Sequence, residues 1–376
     1  MNHRTSLLAG LLVLAAPVWT GCDEGSTPAR PDAVVDATAD VPVRSRTLEA
    51  RVDAEGPFHV GYRTWEHTYT PPGTDEPRTI RLHVWYPTEA TTGDHPTYYA
   101  FFEDEDALLN APAAPPLDAT YPVHVHSHGH QGFGGTSSFL MRRFASHGWV
   151  AIAPDHTGDL LFDDDLAKTA NTVRHYIERP SDISAALDAL DALPANDPLA
   201  AVDVSRVVMS GHSRGCYTVW ANAGASFDPS AGNLDEATES ELDVFAQGFR
   251  DPRVVAAIPM AGTYSADWFG TDGYRQVLIP MLSLTGTEDN ASAARFRYDT
   301  LTDAPLAWIE LAGGCHQTFA LGYCDTLDFE LGFSIVDTYA LAFARVHVLG
   351  DTDPRSLGIL AGLFEVSPLA TVHLPR

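Results

Sequence analysis

The stretch Gly211-His212-Ser213-Arg214-Gly215 sets a serine hydroxyl between two glycines. The run Arg206-Val207-Val208-Met209-Ser210 precedes it, and a segment that can be helical follows. A Gly-x-Ser-x-Gly turn between a strand and a helix is so tight that it strains the serine and exposes its hydroxyl; side chains in place of the glycines would collide with the adjoining elements. A serine hydroxyl is a poor nucleophile at neutral pH. It needs an imidazole to take its proton and a carboxylate to fix that imidazole's tautomer. Both follow along the chain. A strand-like run, 277–284, leads to Gly286-Thr287-Glu288-Asp289, and Leu306 to Leu311 leads to Ala312-Gly313-Gly314-Cys315-His316. Ser213, His316 and Asp289 are therefore the candidate catalytic residues. Glu288 competes for the acid; Asp289 is preferred for its Gly-x-x-Asp spacing and its shorter side chain on a rigid loop.

Acyl transfer also needs donors for a developing oxyanion. One is the backbone N–H after the nucleophile, Arg214. The other is expected on the loop after the run Tyr121 to Ser127, at the N–H of His130, which follows His128-Gly129. His124, His126, His128 and His130 alternate, so a strand points the first two to one face. Imidazoles so spaced can ligate zinc, which keeps a His-rich metallohydrolase as an alternative. Gln131-Gly132 stand where such an enzyme would want an Asp-His pair, and no metal or other cofactor is assigned. The other reading makes His124 and His126 neutral, hydrogen-bonded interior side chains, with His128 shaping the loop.

Ser127-His128-Gly129, Ala145-Ser146-His147-Gly148-Trp149, Ala153-Pro154-Asp155-His156 and the Ser213 pentapeptide together resemble the bacterial relatives of platelet-activating-factor acetylhydrolase. That group shades into dienelactone hydrolases, chlorophyllases and cutinase-like polyester hydrolases. The resemblance spans residues 56–350. It implies an α/β-hydrolase fold acting on carboxylic esters without a metal, and makes Asp155-His156 a structural turn. Cys216 departs from it, standing where many relatives have a second glycine, as does the histidine-rich strand.

Strands are expected near 80–85, 123–127, 150–154, 207–211, 254–259, 279–284 and 307–311. Several are near-continuous apolar runs, as a sheet buried on both faces requires. Ile183, Leu187, Leu190 and Leu193 recur at helical spacing after Pro180-Ser181, a helix-start signal; Phe333, Val336, Ala340 and Phe343 do so in a closing helix that runs to Gly350. The alternation predicts an α/β fold, a mostly parallel central sheet with helices on both faces. Residues 226–250 are an insertion, either a cap over the site or a surface excursion, and 157–177 are expected along the cleft. Phe133, Trp268 and Phe319 are candidates for a substrate pocket, with packing as the alternative.

Residues 1–21 read as a lipoprotein-type signal peptide: a basic start, an apolar run too short to span a bilayer, then Thr20-Gly21-Cys22. Lipidation of Cys22 would anchor the protein to a membrane of a bacterial cell envelope, at the periplasm or cell surface, with plain secretion as the alternative. Residues 22–50 read as a flexible tether rich in Ala, Pro, Asp, Ser and Thr, and 51–376 as one catalytic domain. Fifty acidic against 23 basic residues, net charge −27, argue against nucleic acid as a partner. Asp163-Asp164-Asp165 is a weak cation-site candidate, since consecutive acids point apart. Cys315 and Cys324 bracket His316 and form a disulfide after export, or remain two thiols. The expected function is serine-dependent cleavage of a small-molecule, lipid or polyester ester; the alternative is an inactive hydrolase-fold lipoprotein that binds.

Overall fold

The second half of the strand that ends in the Ser213 pentapeptide is buried on both sides, and so are its neighbours, which places them in the middle of the molecule. The computed structural model describes residues 46–161, 173–230, 234–262 and 266–376. The expected leader, Cys22 and Asp163-Asp164-Asp165 lie outside the described residues. The strands are β1 (His59–Tyr69), β2 (Arg78–Thr88), β3 (Thr97–Tyr98), β4 (Phe102–Glu103), β5 (Leu108–Leu109), β6 (Tyr121–Ser127), β7 (Val150–Pro154), β8 (Val202–His212), β9 (Val254–Met260), β10 (Met281–Gly286), β11 (Leu306–Leu311) and β12 (Ala370–His373). Ten of them form one sheet in the order β12-β11-β10-β9-β8-β6-β7-β2-β1-β5, while β3 and β4 pair separately. The central pairs from β7 to β11 are parallel; β1–β2, β2–β7 and β11–β12 are antiparallel.

The helices are α1 (Ser138–Ser146), α2 (Val173–Asp191), α3 (Gly215–Ala223), α4 (Glu239–Gln247), α5 (Ala266–Tyr274), α6 (Ala291–Thr300), α7 (Phe329–Leu349) and α8 (Pro354–Leu360). Alternation along the strands divides the interior in two. Val123, Val125, Val207 and Met209 pack with Ile177, Ile183, Leu187, Val219 and Trp220 of α2 and α3. Val208, Ile258, Leu284 and Ile309 pack with Leu140 and Phe144 of α1 and with Val336 and Ala340 of α7. Helices thus cover both faces, as the α/β reading expected, and every expected strand is present. β12 and most of the length of β1 were not anticipated; both lie towards the sheet's flanks, and β1 alternates half-buried with exposed residues over its second half, a weak apolar signal.

Two boundaries are corrected. Helix α2 begins at Val173, ahead of Pro180, which lies inside it. Proline has no N–H for the carbonyl of Tyr176 four residues back, but the Tyr217 hydroxyl donates to that carbonyl at 2.7 Å and replaces the lost bond. The expected tether to residue 50 also ends earlier. Thr47 and Leu48 are buried, Thr47 Oγ1 donates to Asp118 at 2.8 Å, and the guanidinium of Arg345 donates to the carbonyls of Leu48 and Ala50.

The chain reverses its direction of growth at β6. β7 is added on one side of it and β8 on the other, and Ser127 pairs in register with Gly211. The carboxyl ends of these two neighbours therefore deliver the histidine-glycine loop and the serine turn side by side. That is the crevice where open α/β sheets place ligands.

Candidate active site

Ser213 has φ +55°, in the left-handed region. A non-glycine residue adopts it only where the surroundings over-determine it. Here β8 enters from below, α3 leaves at Gly215, and the Ser213 N–H donates to the Met260 carbonyl at 3.0 Å. A Cβ on Gly211 would lie 2.5 Å from the Gly215 carbonyl oxygen, and one on Gly215 would overlap the Ser127 carbonyl. Both flanking glycines are thus required by close backbone approach. Cys216 is accommodated by a third glycine: a Cβ on Gly262 would stand 2.2 Å from both Cβ and Sγ of Cys216. Burial pushes the Cys216 thiol up to about 12, so it is an inert packing group.

Asp289 follows β10, and His316 opens the short helical turn after β11. The His316 Nδ1 lies 3.2 Å from each carboxylate oxygen of Asp289. Glu288 turns away; its carboxylate accepts from Thr287 Oγ1 at 3.3 Å. The His316 ring packs on the ring of His212, centroids 4.7 Å apart, and His212 Nε2 donates to the His316 carbonyl at 3.0 Å. Burial pushes His212 down to about 3, so it makes this bond as a neutral imidazole. His212, the residue beside the serine, thereby ties the histidine loop to the turn. That loop is further closed by the Cys315–Cys324 disulfide, Cα atoms 5.9 Å apart.

On the other side, Gly129 presses against the turn; a Cβ on it would lie 3.2 Å from the Ser213 Cβ. His128 is the Nδ1–H tautomer, since its Nδ1 donates to the Gly129 carbonyl at 2.7 Å and its Nε2 accepts from the His156 N–H at 3.0 Å. Gly134 N–H donates to Asp155 at 2.7 Å, and Gly132 bridges to Leu160. Asp155 is held at about 2: burial opposes this, but His83 and the Gly134 N–H outweigh it. The Asp155-His156 turn braces the loop from below. Asp155 and Leu160 also line a cavity of about 570 Å³ with Tyr62, His83, Tyr98 and Tyr99.

His124 Nε2 and His126 Nδ1 both meet Ser210 Oγ, at 2.7 Å each, and both rings are fully buried. Burial pushes His124 down to about 3 and His126 well below its ordinary value. Among the described residues no three His, Cys, Asp or Glu side chains are grouped to hold a metal ion. The three aromatic pocket candidates sit inside the packing rather than on an open wall. Phe133 is buried against Tyr98 and Tyr99, Trp268 stacks on Tyr176, and Phe319 is buried in the cluster that holds α7. Helix α4 of the insertion is docked through Val244 and Phe245, the latter among Phe227, Phe249 and Trp268.

The Chlorophyllase family model matches residues 106–234, the stretch from β5 to the elbow helix and beyond. No curated protein sequence matches the chain significantly. Among solved structures, a ferulic acid esterase from Streptomyces cinnamoneus superposes with a TM-score of 0.60, over 86% of this chain and 98% of that one, at 19% identity. The fold is that of an α/β-hydrolase. In this hydrolase-fold chain two features of the site had no reading from sequence: the His212 contact and a buried carboxylate, Asp159. Asp159 sits four residues beyond Asp155 in a segment without periodicity, and nothing local signals that the guanidinium groups of Arg179 in α2 and Arg214 just before α3 converge on it at 2.7 and 3.0 Å.

Proposed function

We propose that the protein is a carboxylic ester hydrolase that works through an acyl-enzyme on Ser213. His316 takes the hydroxyl proton at Nε2 as Ser213 Oγ attacks the ester carbonyl carbon. Asp289 holds the Nδ1–H and stabilises the imidazolium. The oxyanion is received by the N–H groups of His130 and Arg214. The intermediate collapses, the alcohol leaves with the proton from His316, and water repeats the sequence in reverse to release the acid. The observation that carries this reading is a serine at φ +55° in a strand-to-helix turn, with the His316–Asp289 pair tethered to that turn through His212. The likeness to a ferulic acid esterase and to the Chlorophyllase family supports ester substrates.

A fluorophosphonate probe tests the nucleophile. Labelling of the wild type and none of Ser213→Ala is expected, together with turnover of nitrophenyl esters that falls by about 10⁴-fold or more in the variant. Equal labelling of both would remove Ser213 from the mechanism. We also propose export and anchoring through lipidated Cys22, a placement in keeping with the Cys315–Cys324 disulfide. Metabolic incorporation of an alkynyl fatty acid that Cys22→Ser abolishes is the expected result.

A further inference from the structure

Asp159 is fully buried beside the elbow, and its two oxygens face different parts of the site. Oδ2 accepts from Arg179 Nη1 at 2.7 Å and from Arg214 Nη1 at 3.0 Å. Oδ1 accepts from His130 Nδ1 at 2.5 Å and from the Gln131 N–H at 3.1 Å. Arg179, itself 1% exposed, reaches on to the His128 carbonyl and to Ser127 Oγ through Nη2, and to Thr218 Oγ1 through Nε at 3.3 Å. Burial works to raise the Asp159 carboxyl, but Arg179 and Arg214 outweigh it and hold it well below the ordinary carboxylate range. It is thus an anion able to accept every one of these bonds at once.

The two sets of donors belong to the two halves of one device. Arg214 follows the nucleophile, and its own N–H is one oxyanion donor. His130 carries the other, and Gln131 beside it has φ +53°, a conformation that neighbouring bonds must hold. We propose that Asp159, with Arg179 as its counter-ion, is the positioning residue that locks the oxyanion loop and the elbow into one frame. Oδ1 fixes the His130-Gln131 peptide, and Oδ2 fixes the residue after Ser213. The inference rests on Ser213 being the nucleophile. An amide in place of the carboxylate presents one acceptor and one donor, so it can satisfy only one side, and the two N–H groups lose their common reference.

The test compares Asp159→Asn, His130→Leu and Ser213→Ala with the wild type. His130→Leu is included because its half-exposed ring removes one bond to Asp159 without unpairing Arg179. For each, kcat and KM on a nitrophenyl ester, the inhibition constant of an aryl trifluoromethyl ketone, and Tm are measured. The ketone adds to the serine to give a hemiketal oxyanion, so its affinity reads the hole directly. Oxyanion donors are worth about 10²–10³-fold in kcat. Loss of the frame is expected to lower kcat about 100-fold in Asp159→Asn and about 10-fold in His130→Leu, with the ketone weakened in proportion and KM within about threefold. Folded variants that keep kcat and ketone affinity within about threefold of wild type, while Ser213→Ala is inactive, overturn the proposal. If Asp159→Asn does not fold, His130→Leu decides by the same criterion. An active Ser213→Ala instead overturns the nucleophile assignment underneath.

Discussion

His316 presents its Nδ1 at equal distance from the two oxygens of Asp289, 3.2 Å from each. A carboxylate so placed sets the tautomer and leaves Nε2 without a proton, as the base proposed above requires. Asp289→Asn is expected to lower kcat by about 10³–10⁴-fold, because an amide can hold the ring with the wrong nitrogen protonated. Glu288→Gln, a neighbour whose carboxylate turns to Thr287, is expected to leave kcat unchanged. Measuring kcat for both separates the two acids; the reverse ranking contradicts the assignment. At this scale the residue types were legible in the sequence, because each must follow a strand directly to reach the carboxyl edge. The aromatic candidates were not legible in that way. Phe133, Trp268 and Phe319 lie near loop ends, and an aromatic ring has as much area to bury in a core as to offer a ligand.

The elbow is decided by how closely β8, α3 and the segment after β9 approach. Ser213 keeps its strained φ because Gly211, Gly215 and Gly262 admit backbone or the Cys216 side chain where a methyl group would collide. Gly262→Ala is expected to destabilise the fold by about 1–3 kcal/mol through overpacking against Cys216. Cys216→Gly in the same chain is expected to recover much of that loss, since the Cβ and Sγ that clash are removed. Chemical denaturation of the two single variants and the double variant gives the coupling energy; strict additivity would refute the contact. The departure at Cys216 was visible in the sequence, but its compensation at residue 262 was not, because the two positions are separated by an insertion and a strand. Pro180 shows the same limit within one element. A proline ordinarily starts or breaks a helix, yet here a tyrosine hydroxyl from α3 supplies the bond that it lacks.

Among the described residues several imidazoles are held neutral by burial. His124 and His212 are pushed down to about 3, His147 and His156 to about 4, and His126 and His128 well below their ordinary value. The unfolded chain binds protons at these sites below about pH 6.5, where the native protein does not. Stability is therefore expected to fall as pH drops from about 6.5 towards 4, by about 1.4 kcal/mol per pH unit for each proton taken up only by the unfolded chain. Asp337 runs the other way: burial pushes it up to about 8, so it costs stability as pH rises above the usual carboxylate range, but it is a single group. Thermal melting between pH 7 and 4.5 checks the balance, and an unchanged Tm from pH 7 to 5 would contradict it. Periodicity and local turn chemistry sufficed to read the alternation of strands and helices, the serine turn and the strand ends that carry Asp289 and His316, because these depend on residues adjacent in the chain. The partner of each buried polar group could not be read so. Ser210 between His124 and His126, His212 on the His316 carbonyl, and Asp159 between Arg179, Arg214 and His130 join segments distant in sequence. Such bonds follow from which strands become neighbours, and every donor or acceptor carried into that interior must find its partner there because water is excluded.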